Sequence, residues 1–325
     1  MANGKRKSEN NPRDLESVQD GDEFVNSEDF LKFQDGDVLT LHEILDAPGE
    51  VIGKSSYGTL YKASLVNSNS VALLRFLRPS CTLRIKEVLA IVEFFGSIKH
   101  PNLVPLKAFY AGPKGEKLMV HPFYGFGNLA QFIKDANADA RKWPVIHKIA
   151  TGIAKGVHHL HSSFGKPLAH GNLKSKNIFL DSHFNPFVSD FGLHLLLNPT
   201  AGQKMIEMSA SDGYKAPELI KMKDANEESD IYSLGVIFLE LLTGKLPVDD
   251  DFSSRDRDID LSDALRRDML DDRINILCEL SGDRREIKED YILKFFRLAM
   301  ACCSPSRLVR PDVFRVLEKL EEIGK

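Results

Sequence analysis

The sequence contains little cysteine, no long apolar run and no excess of basic charge. Its four cysteines, among 325 residues, lack the spacing of a metal site and the density of a disulfide framework, which indicates a reducing compartment. No stretch approaches the about 20 apolar residues of a membrane-spanning helix, and the first residues lack the apolar core of a signal peptide. A net charge of -4 leaves no basic surplus for phosphates, so nucleic acid is not an expected partner.

The amino-terminal 34 residues differ in composition from the rest of the chain. They are rich in Asn, Asp, Glu, Ser and Gly and contain few aromatics, and such a segment cannot bury enough apolar surface to order itself. The sequence therefore predicts a flexible leader over residues 1–34. Within it, the cluster Lys5-Arg6-Lys7 fits two interpretations: a solvated charge run, or the basic residues that follow a transmembrane helix on its cytoplasmic side.

The remaining chain divides into a strand-rich part and a helix-rich part. Between residues 35 and 121, short β-type runs surround one helical pattern from Ile85 to Ile98. Between residues 122 and 325 the periodicity is mostly helical; the apolar run that stops at Gly244 predicts a buried helix, and further helices are predicted from about Leu261 to Ile323. We therefore predict an α+β fold with two lobes, a small antiparallel sheet with one main helix followed by a larger, mostly helical lobe.

Six short motifs follow one another along these two parts. They are "GKSSYG" at 53–58 between two strands, "VALLR" at 71–75 on the next strand, "HGNLKSKN" at 170–177, "DFG" at 190–192, "APE" at 216–218 and "RLVRPD" at 307–312. The chain resembles the cytoplasmic domain of plant leucine-rich-repeat receptor-like kinases, including kinase-dead members, from about residue 31 to 323. The stretches that carry the resemblance are "LTLHEILDAPGEVIGKSSYGTLYKASL", "HPNLVPLKAFY", "HGNLKSKNIFLD", "SDFGL", "GYKAPE" and "SDIYSLGVIFLELLTGKLP".

The resemblance implies a bilobal protein kinase fold with an N-lobe over residues 35–121 and a C-lobe over residues 122–325. It also implies a membrane span before residue 1, an extracellular repeat domain, and a location at the plasma membrane with this segment on the cytoplasmic side. The partners that it implies are other receptor-like kinases or cytoplasmic signalling proteins.

The resemblance assigns a vestigial nucleotide pocket to five positions. They are Gly53, Ser55, Gly58, Ala72 and Phe179. Ser55 replaces a glycine, and its Cβ hinders the close approach of phosphates to the backbone. Phe179 replaces a smaller leucine, and it either fills part of the base pocket or is an ordinary packing residue.

An ion pair of the family is expected to be absent. On this alignment Leu74 stands where the family has the lysine that holds the α- and β-phosphates, and Ile91 stands where the next helix carries its glutamate partner. Joint loss predicts an apolar contact between Leu74 and Ile91, because a buried ion pair is often replaced by hydrophobic residues without loss of stability. The alternative is an alignment shifted by one helical turn, in which Glu87 is the partner.

The catalytic loop carries two further changes. Asn172 stands in place of the aspartate that accepts or orients the substrate proton, and an amide lacks the basicity to do so. Gly171 stands in place of the arginine that orders a phosphorylated activation loop. The magnesium ligands Asn177 and Asp190 remain, yet with the other losses we expect ATP and magnesium binding to be weak or absent, with no cofactor required.

Scaffold features are retained beside the altered catalytic set. Structural roles fall to Lys174, Glu218, Asp230 and Arg310, with a Glu218–Arg310 ion pair and Asp230 capping the backbone of the catalytic loop. The sequence therefore predicts a non-catalytic scaffold or allosteric partner of active receptor kinases.

Two further hypotheses concern phosphate chemistry. The alternative function is a weak or unconventional Ser/Thr kinase in which a relocated cation reaches the phosphates; the candidates are Lys54, Lys62 and Arg75. In the activation segment, four hydroxyl groups are candidates for modification by a partner kinase; they are Thr200, Ser209, Ser211 and Tyr214.

Overall fold

The computed structural model describes residues 29–33, 39–66, 68–135, 142–220, 225–247 and 285–324. These residues form two lobes, as predicted. The first lobe is built on a six-stranded sheet and the second is mostly helical. None of the helices in these ranges is long and apolar enough to cross a membrane.

The N-lobe is an antiparallel sheet with two helices. Its strands are β1 (Asp29–Lys32), β2 (Gly49–Lys54), β3 (Gly58–Leu65), β4 (Ser70–Leu77), β5 (Ala108–Ala111) and β6 (Lys117–Pro122), in the spatial order β1-β5-β6-β4-β3-β2. Its helices are α1 (Leu41–Asp46) and α2 (Ile85–Ser97). The predicted main helix is therefore confirmed as α2, and the sheet positions it beside the lobe interface.

The end of the predicted leader is part of the sheet. Strand β1 pairs antiparallel with β5, and the Phe33 backbone N–H donates to the Lys107 carbonyl at 2.8 Å. The Phe33 ring lies against Gly96 of α2 so closely that a Cβ on this glycine would overlap it. The expectation of a flexible leader is therefore wrong for residues 29–33, because strand pairing and this aromatic contact order them; residues 1–28 lie outside the described ranges.

The two faces of the N-lobe sheet pack into different clusters. Strand β4 alternates, so that Ala72 and Leu74 join one cluster with Val120 and helix α1, whereas Leu77 joins the core shared with the C-lobe. This alternation decides which side chains of β4 can reach the interlobe cleft.

The C-lobe is built from helices around a short hairpin. Its helices are α3 (Leu129–Asp135), α4 (Trp143–Ser162), α5 (Pro199–Ser211), α6 (Glu227–Thr243), α7 (Arg285–Cys302) and α8 (Val313–Gly324), and its hairpin strands are β7 (Ile178–Leu180) and β8 (Pro186–Val188). Helices predicted between residues 261 and 284 fall outside the described ranges.

Helix α6 is the predicted buried helix, and its ends follow from the sequence. The Asn226 side chain accepts from the Ser229 N–H at its start, and Gly244 adopts the left-handed φ of 65° at its end. From Ser229 to Thr243 nearly every residue is buried. The Asp230 carboxylate in the first turn of α6 is thereby held against the backbone of His170 and Gly171, in the loop that precedes β7.

Candidate active site

The cleft between the lobes has a volume of about 700 Å³ and collects most of the predicted site residues. Those that line it are Gly53, Ser55, Gly58, Asn172, Lys174, Asn177, Phe179 and Asp190. Arg75 and Tyr57 also line it. The turn between β2 and β3 forms its roof, and the loop before β7 forms its floor.

The central contact of the cleft is an ion pair between Arg75 and Asp190. The Arg75 Nη2 donates to Asp190 Oδ2 at 2.7 Å, and the two side chains are only 10% and 6% exposed. Asp190 has a left-handed φ of 62°, and Phe191 after it packs edge-to-face on Phe95 of α2. The carboxylate predicted to bind a metal is thus engaged by a guanidinium group of the same chain.

The predicted equivalence of Leu74 with the phosphate-binding lysine is wrong. Leu74 and Ala72 belong to the cluster on the outer face of the sheet, and neither lines the cleft. Side chains of a strand alternate between its faces, so the cleft-facing residue of this part of β4 is Arg75. Ala72 is for the same reason not part of the nucleotide pocket.

The apolar contact predicted between Leu74 and Ile91 is also absent. Ile91 packs on the core shared by the two lobes, whereas Leu74 packs in the other cluster. The alternative partner, Glu87, is at the exposed start of α2, where its carboxylate accepts from the Arg84 N–H and Nη2. Hydrogen bonds from Arg84 lower the pKa of Glu87 at this surface site. Neither Ile91 nor Glu87 therefore forms the contact with Leu74 that the sequence predicted.

Asp230 fixes the backbone of the loop that precedes β7, as predicted. Its carboxylate accepts from the backbone N–H groups of His170 and Gly171 at 2.6 and 2.9 Å, and from His161 Nε2 at 3.0 Å. Burial by itself would raise the pKa of Asp230, but hydrogen bonds and charge from His161, with further help from His170 and Gly171, lower it. The loop therefore rests on a charged carboxylate in the protein interior.

Gly171 is held in a conformation that excludes a side chain. Its φ is 76°, and a Cβ at this position would lie 2.5 Å from His194 Nδ1. The arginine of related sequences cannot be accommodated here unless His194 moves.

The two asparagines of this loop contact each other. Asn177 Nδ2 donates to the Asn172 carbonyl at 2.9 Å, and the Asn177 carbonyl accepts from Ser189. The Asn172 side chain is buried, and neither atom of its amide has a hydrogen-bond partner among the described residues. Asn172 is therefore placed where a catalytic aspartate would be, but its amide offers no basic group.

Tyr57, in the turn between β2 and β3, closes the roof of the cleft. The Ser55 side chain folds back onto Gly58, accepting from its N–H at 3.1 Å, and so tightens the turn. Tyr57 is buried and joins the core shared by the lobes. Burial and then the negative charge of Asp190 raise the pKa of Tyr57, so its hydroxyl stays neutral beside the ion pair.

Helix α5 of the activation segment lies across the mouth of the cleft. Met205 and Met208 contribute to the cleft lining, and Ser56 Oγ is 3.6 Å from the Met208 sulfur. At the carboxyl end of α5, one turn after Met208, Asp212 accepts from Lys174 Nζ at 3.0 Å and is 3.4 Å from Lys176 Nζ. The segment is therefore ordered against both lobes.

The four candidate hydroxyls of this segment differ in accessibility. Ser209 and Tyr214 are buried, and the Tyr214 hydroxyl hydrogen-bonds to Glu240 and Ser175. Thr200 and Ser211 are exposed at the two ends of α5.

The far side of the C-lobe carries the predicted Glu218–Arg310 ion pair. The Arg310 nitrogens donate to both carboxylate oxygens at 2.6 and 2.8 Å. Arg310 also donates to the Ser304 and Glu228 carbonyls. Partial burial by itself would raise the pKa of Glu218, but hydrogen bonds and the charge of Arg310 together lower it.

Phe179 lines the cleft in a stack of three rings. It lies nearly parallel to Tyr124 at 5.9 Å, and Tyr124 stacks on Phe187 at 4.3 Å. Phe179 is both a cleft residue and a packing residue, so its two predicted interpretations are compatible.

The comparisons with known proteins agree with this geometry. The protein kinase domain family matches residues 47–308. The putative kinase-like protein TMKL1 of Arabidopsis thaliana is 36% identical over 99% of this chain and 49% of its own length. Several other Arabidopsis relatives are named inactive receptor kinases. The chain spans about half the length, or less, of the curated relatives that it matches.

Two solved structures extend the comparison. The maize SIRK1 kinase domain bound to AMP-PNP is 31% identical, with a TM-score of 0.75 over 91% of this chain and 100% of that chain. The pseudokinase domain of BIR2, an immune regulator, is 27% identical, with a TM-score of 0.71 over 91% of this chain and 89% of that chain.

The chain therefore belongs to the protein kinase family. Within it, the relatives place it among the leucine-rich-repeat receptor-like kinases of plants, a group that includes kinase-like and inactive members.

Sequence reasoning missed three functional features. It treated Arg75 as one of three candidate cations. Because side chains alternate along a strand, Arg75 could have been placed on the face of β4 opposite to that of Leu74. It did not single out Tyr57, which is buried in the core shared by the two lobes. It did not predict helix α5 in the activation segment, although Asn198-Pro199 is a helix-start signal, with the Asn198 side chain accepting from the Ala201 N–H.

Proposed function

We propose that this domain is a non-catalytic module of a plant receptor-like kinase, which acts by binding other receptor kinases or cytoplasmic signalling proteins. The observation that supports this most directly is the buried ion pair between Arg75 and Asp190. The names of the relatives, several of them kinase-like or inactive, point the same way. A location at the cytoplasmic face of the plasma membrane is part of the proposal.

The magnesium ion that the fold family implies does not fit these residues. Magnesium requires oxygen ligands, and its protein ligands are usually one or two carboxylates. Asp190 already neutralises the guanidinium of Arg75 at 2.7 Å. A magnesium ion bound to Asp190 would take the counter-charge of Arg75, and the guanidinium would be left buried beside the metal.

The catalytic loop lacks a general base as well. The Asn172 amide cannot accept a proton at neutral pH, and loss of a general base typically lowers the rate by about 10² to 10⁴. The left-handed conformation of Gly171 beside His194 leaves no room for the arginine that would order a phosphorylated loop. Metal binding, proton transfer and the ordering of a phosphorylated activation loop are therefore each compromised at a different residue.

The alternative, a weak Ser/Thr kinase, is favoured by one observation. Arg75 does face the cleft, so it could contact phosphates if Asp190 released it and bound a metal instead. Lys62 is less suited to this role because its Nζ lies 5.1 Å from the Phe123 ring centre, and Lys54 is exposed. The two proposed functions differ in whether the Asp190 carboxylate stays paired with Arg75 or is free to bind a metal.

A phosphotransfer assay separates the two functions. With radiolabelled ATP, magnesium or manganese and a generic substrate, we expect no more phosphate incorporation by the purified domain than by the Arg75→Met/Asp190→Leu double variant. An active plant receptor kinase domain serves as the positive control. Incorporation well above that of the double variant would overturn the proposal and support the weak kinase.

Burial of two hydroxyls predicts which sites a partner kinase modifies. After incubation with an active receptor kinase and ATP, we expect phosphopeptide mapping to find phosphate on Thr200 or Ser211 and none on Ser209 or Tyr214. The buried pair cannot enter a kinase active site without unfolding of the segment. Thr200→Ala and Ser211→Ala together should abolish the signal from this segment. Modification of Tyr214 in the folded domain would contradict the structure.

A further inference from the structure

We propose that a basic surface formed by residues 94–100 and 155–166 is a docking site, and that its occupant is the chain's own acidic leader, residues 14–28. We call this surface the basic face. It comprises the end of α2 with the loop that follows it, and the end of α4 with the loop that follows that helix. None of its residues lines the interlobe cleft, so the inference does not depend on whether the domain transfers phosphate.

Four half-buried rings form the centre of the basic face. His100 stacks on His159 with 4.9 Å between the ring centres. Phe164 meets the His159 ring edge-on at 5.5 Å and the Phe94 ring edge-on at 4.9 Å. The His100 ring is fixed further because its Nδ1 accepts from the Asn102 N–H at 3.1 Å. A continuous, partly exposed array of rings therefore joins the two segments of the basic face.

Three exposed lysines flank these rings in sequence, and no acidic residue balances them. Lys99 precedes His100, Lys155 lies one helical turn before His159, and Lys166 follows Phe164 by two residues. None of these three lysines forms an ion pair with another residue that the structure describes. Neither segment of the basic face contains Asp or Glu. The surface therefore carries positive charge that lacks a counter-charge within the folded part of the domain.

The positive potential of the basic face is reflected in the ionisation of His100. Burial, followed by the positive charges of His159, His158 and Lys155, lowers the pKa of His100 to about 4. At neutral pH the imidazole is therefore uncharged, and the net charge of the surface comes from its lysines. A group of positive charges that already suppresses protonation of a neighbour favours an anion as its ligand.

An exposed apolar side chain extends the basic face. Phe314, at the start of α8, is 57% exposed, and its ring centre lies 6.4 Å from that of His158. Leu308 and Val309, shortly before it in the chain, are also exposed. Adjacent exposed apolar groups with a polar rim are typical of interaction sites. A fitting occupant therefore combines negative charge with apolar or aromatic side chains.

The leader has this composition. Residues 14–28 contain no Lys, Arg or His, and their acidic residues are Asp14, Glu16, Asp20, Asp22, Glu23 and Glu28. The run Asp20-Gly21-Asp22-Glu23 is followed directly by Phe24 and Val25. Carboxylates and large apolar side chains are thus adjacent in the leader, as lysines and Phe314 are on the surface.

The leader is attached beside the basic face. Phe33 packs on Gly96, which belongs to that face, and β1 begins at Asp29. An extended chain covers about 3.3 Å per residue, so residues 14–28 can span about 50 Å, whereas β1 separates Asp29 from Phe33 by only about 13 Å. Because the leader is covalently linked to its site, its effective concentration is high and a weak contact is sufficient.

Carbodiimide cross-linking of the whole 325-residue chain tests the contact, because the reagent joins a carboxylate directly to a lysine amine. We expect mass spectrometry to find links from leader carboxylates to Lys99 and Lys155. Lys114 is the matched control, since it is also exposed and follows Ala111, the strand partner of Asp29, by three residues. A leader without a preferred site should link to Lys114 at least as often as to Lys155.

The expected yield at Lys155 is about threefold or more that at Lys114, a ratio that one exposed ion pair can supply. At 1 M NaCl, where the screening length is about 3 Å, the two yields should become similar. A mixture of ¹⁵N-labelled and unlabelled protein distinguishes links within a chain from links between chains, and we expect the links to lie within one chain.

Charge variants assign the site. Lys155→Glu should lower the links from the leader to Lys99 about threefold, whereas Lys114→Glu, the same reversal outside the basic face, should leave them unchanged. Reversal of both partners, by Asp22→Lys/Glu23→Lys together with Lys99→Glu/Lys155→Glu, should restore links between the leader and α4. All of the replaced lysines are exposed, and equal unfolding midpoints would show that the variants are folded.

Three results would overturn the proposal. The first is a yield at Lys114 that equals or exceeds that at Lys155 in low salt. The second is links found only between labelled and unlabelled chains, which would make a second copy the occupant. The third is an absence of leader links together with binding to phosphatidylserine vesicles that Lys99→Glu/Lys155→Glu abolishes, which would reassign the surface to a lipid headgroup layer. None of these results bears on phosphate transfer, so the proposed function is judged separately.

Discussion

Asp190→Ala should lower the free energy of unfolding by about 3–5 kcal/mol, since it leaves the Arg75 guanidinium buried without a counter-charge. The two side chains are 10% and 6% exposed, so solvent cannot replace the lost partner. Replacing both partners, as in Arg75→Met/Asp190→Leu, should cost little or even stabilise the domain, because apolar residues of similar size need no desolvation of charge. Urea unfolding of the parent, both single variants and the double variant gives the coupling energy.

A surface ion pair of the same length is the matched control. Lys319 and Glu322 are also 2.7 Å apart, but both side chains are 60% exposed, so Glu322→Ala should change stability by at most about 1 kcal/mol. A loss below about 1 kcal/mol for Asp190→Ala as well would show that the carboxylate is free in solution. That result would return Asp190 to the role of a metal ligand and weaken the proposed function at its main support.

The fold was predictable because its signals are local or form ordered motifs. The apolar run of α6 and the stop at Gly244 specify a buried helix by composition alone. Asp230, Glu218 and Arg310 could be assigned because their partners are fixed by the same motifs that identify the fold. The contacts that anchor the C-lobe therefore follow from sequence with little ambiguity.

The side chains that face the cleft were less predictable than the fold, and strand β4 shows why. A shift of one residue in the alignment moves every side chain of a strand to the other face. Matching "VALL" to the family pattern put Leu74 in the cleft and left Arg75 as one of three candidate cations, whereas in the structure Arg75 faces the cleft and Leu74 packs on the other face of the sheet. The register is set by the pairing of β4 with β3 and β6, and the contact of Arg75 with Asp190, 115 residues away in sequence, is consistent with it. Long-range contacts of this kind cannot be read from local spacing.

The leader illustrates the same limit in a different way. Composition predicts disorder for residues 1–34, and composition is averaged over the whole segment. Strand β1 forms because β5 offers an unpaired edge and because Gly96 of α2 leaves space for the Phe33 ring. Both features lie far along the chain, so neither is visible in the leader itself.

Asp230→Ala is expected to have an effect of similar size in the interior of the C-lobe, about 3–6 kcal/mol. Three hydrogen bonds to a buried carboxylate are lost, and the His170 and Gly171 backbone N–H groups remain buried without an acceptor, at about 1–3 kcal/mol each. Asp181 is the matched control, because it also accepts three hydrogen bonds, from His183 and Asn185, but in a partly exposed turn. Asp181→Ala should cost less than half as much when both are measured by urea unfolding.

The charge of Asp230 also predicts how the contribution of this residue to the free energy of unfolding depends on pH. The pKa of Asp230 is lowered in the folded protein, so its ionised form contributes stability that is complete above the unfolded value, about 3.9. This contribution is lost as the pH falls through the folded value. Asp230→Asn keeps the shape but lacks the charge, so its deficit relative to the parent should be constant from pH 7 to about 5 and should narrow below pH 4. A deficit that widens on acidification would mean that the loop does not rest on a carboxylate with a lowered pKa, and the anchor would then have to be a neutral hydrogen-bond acceptor.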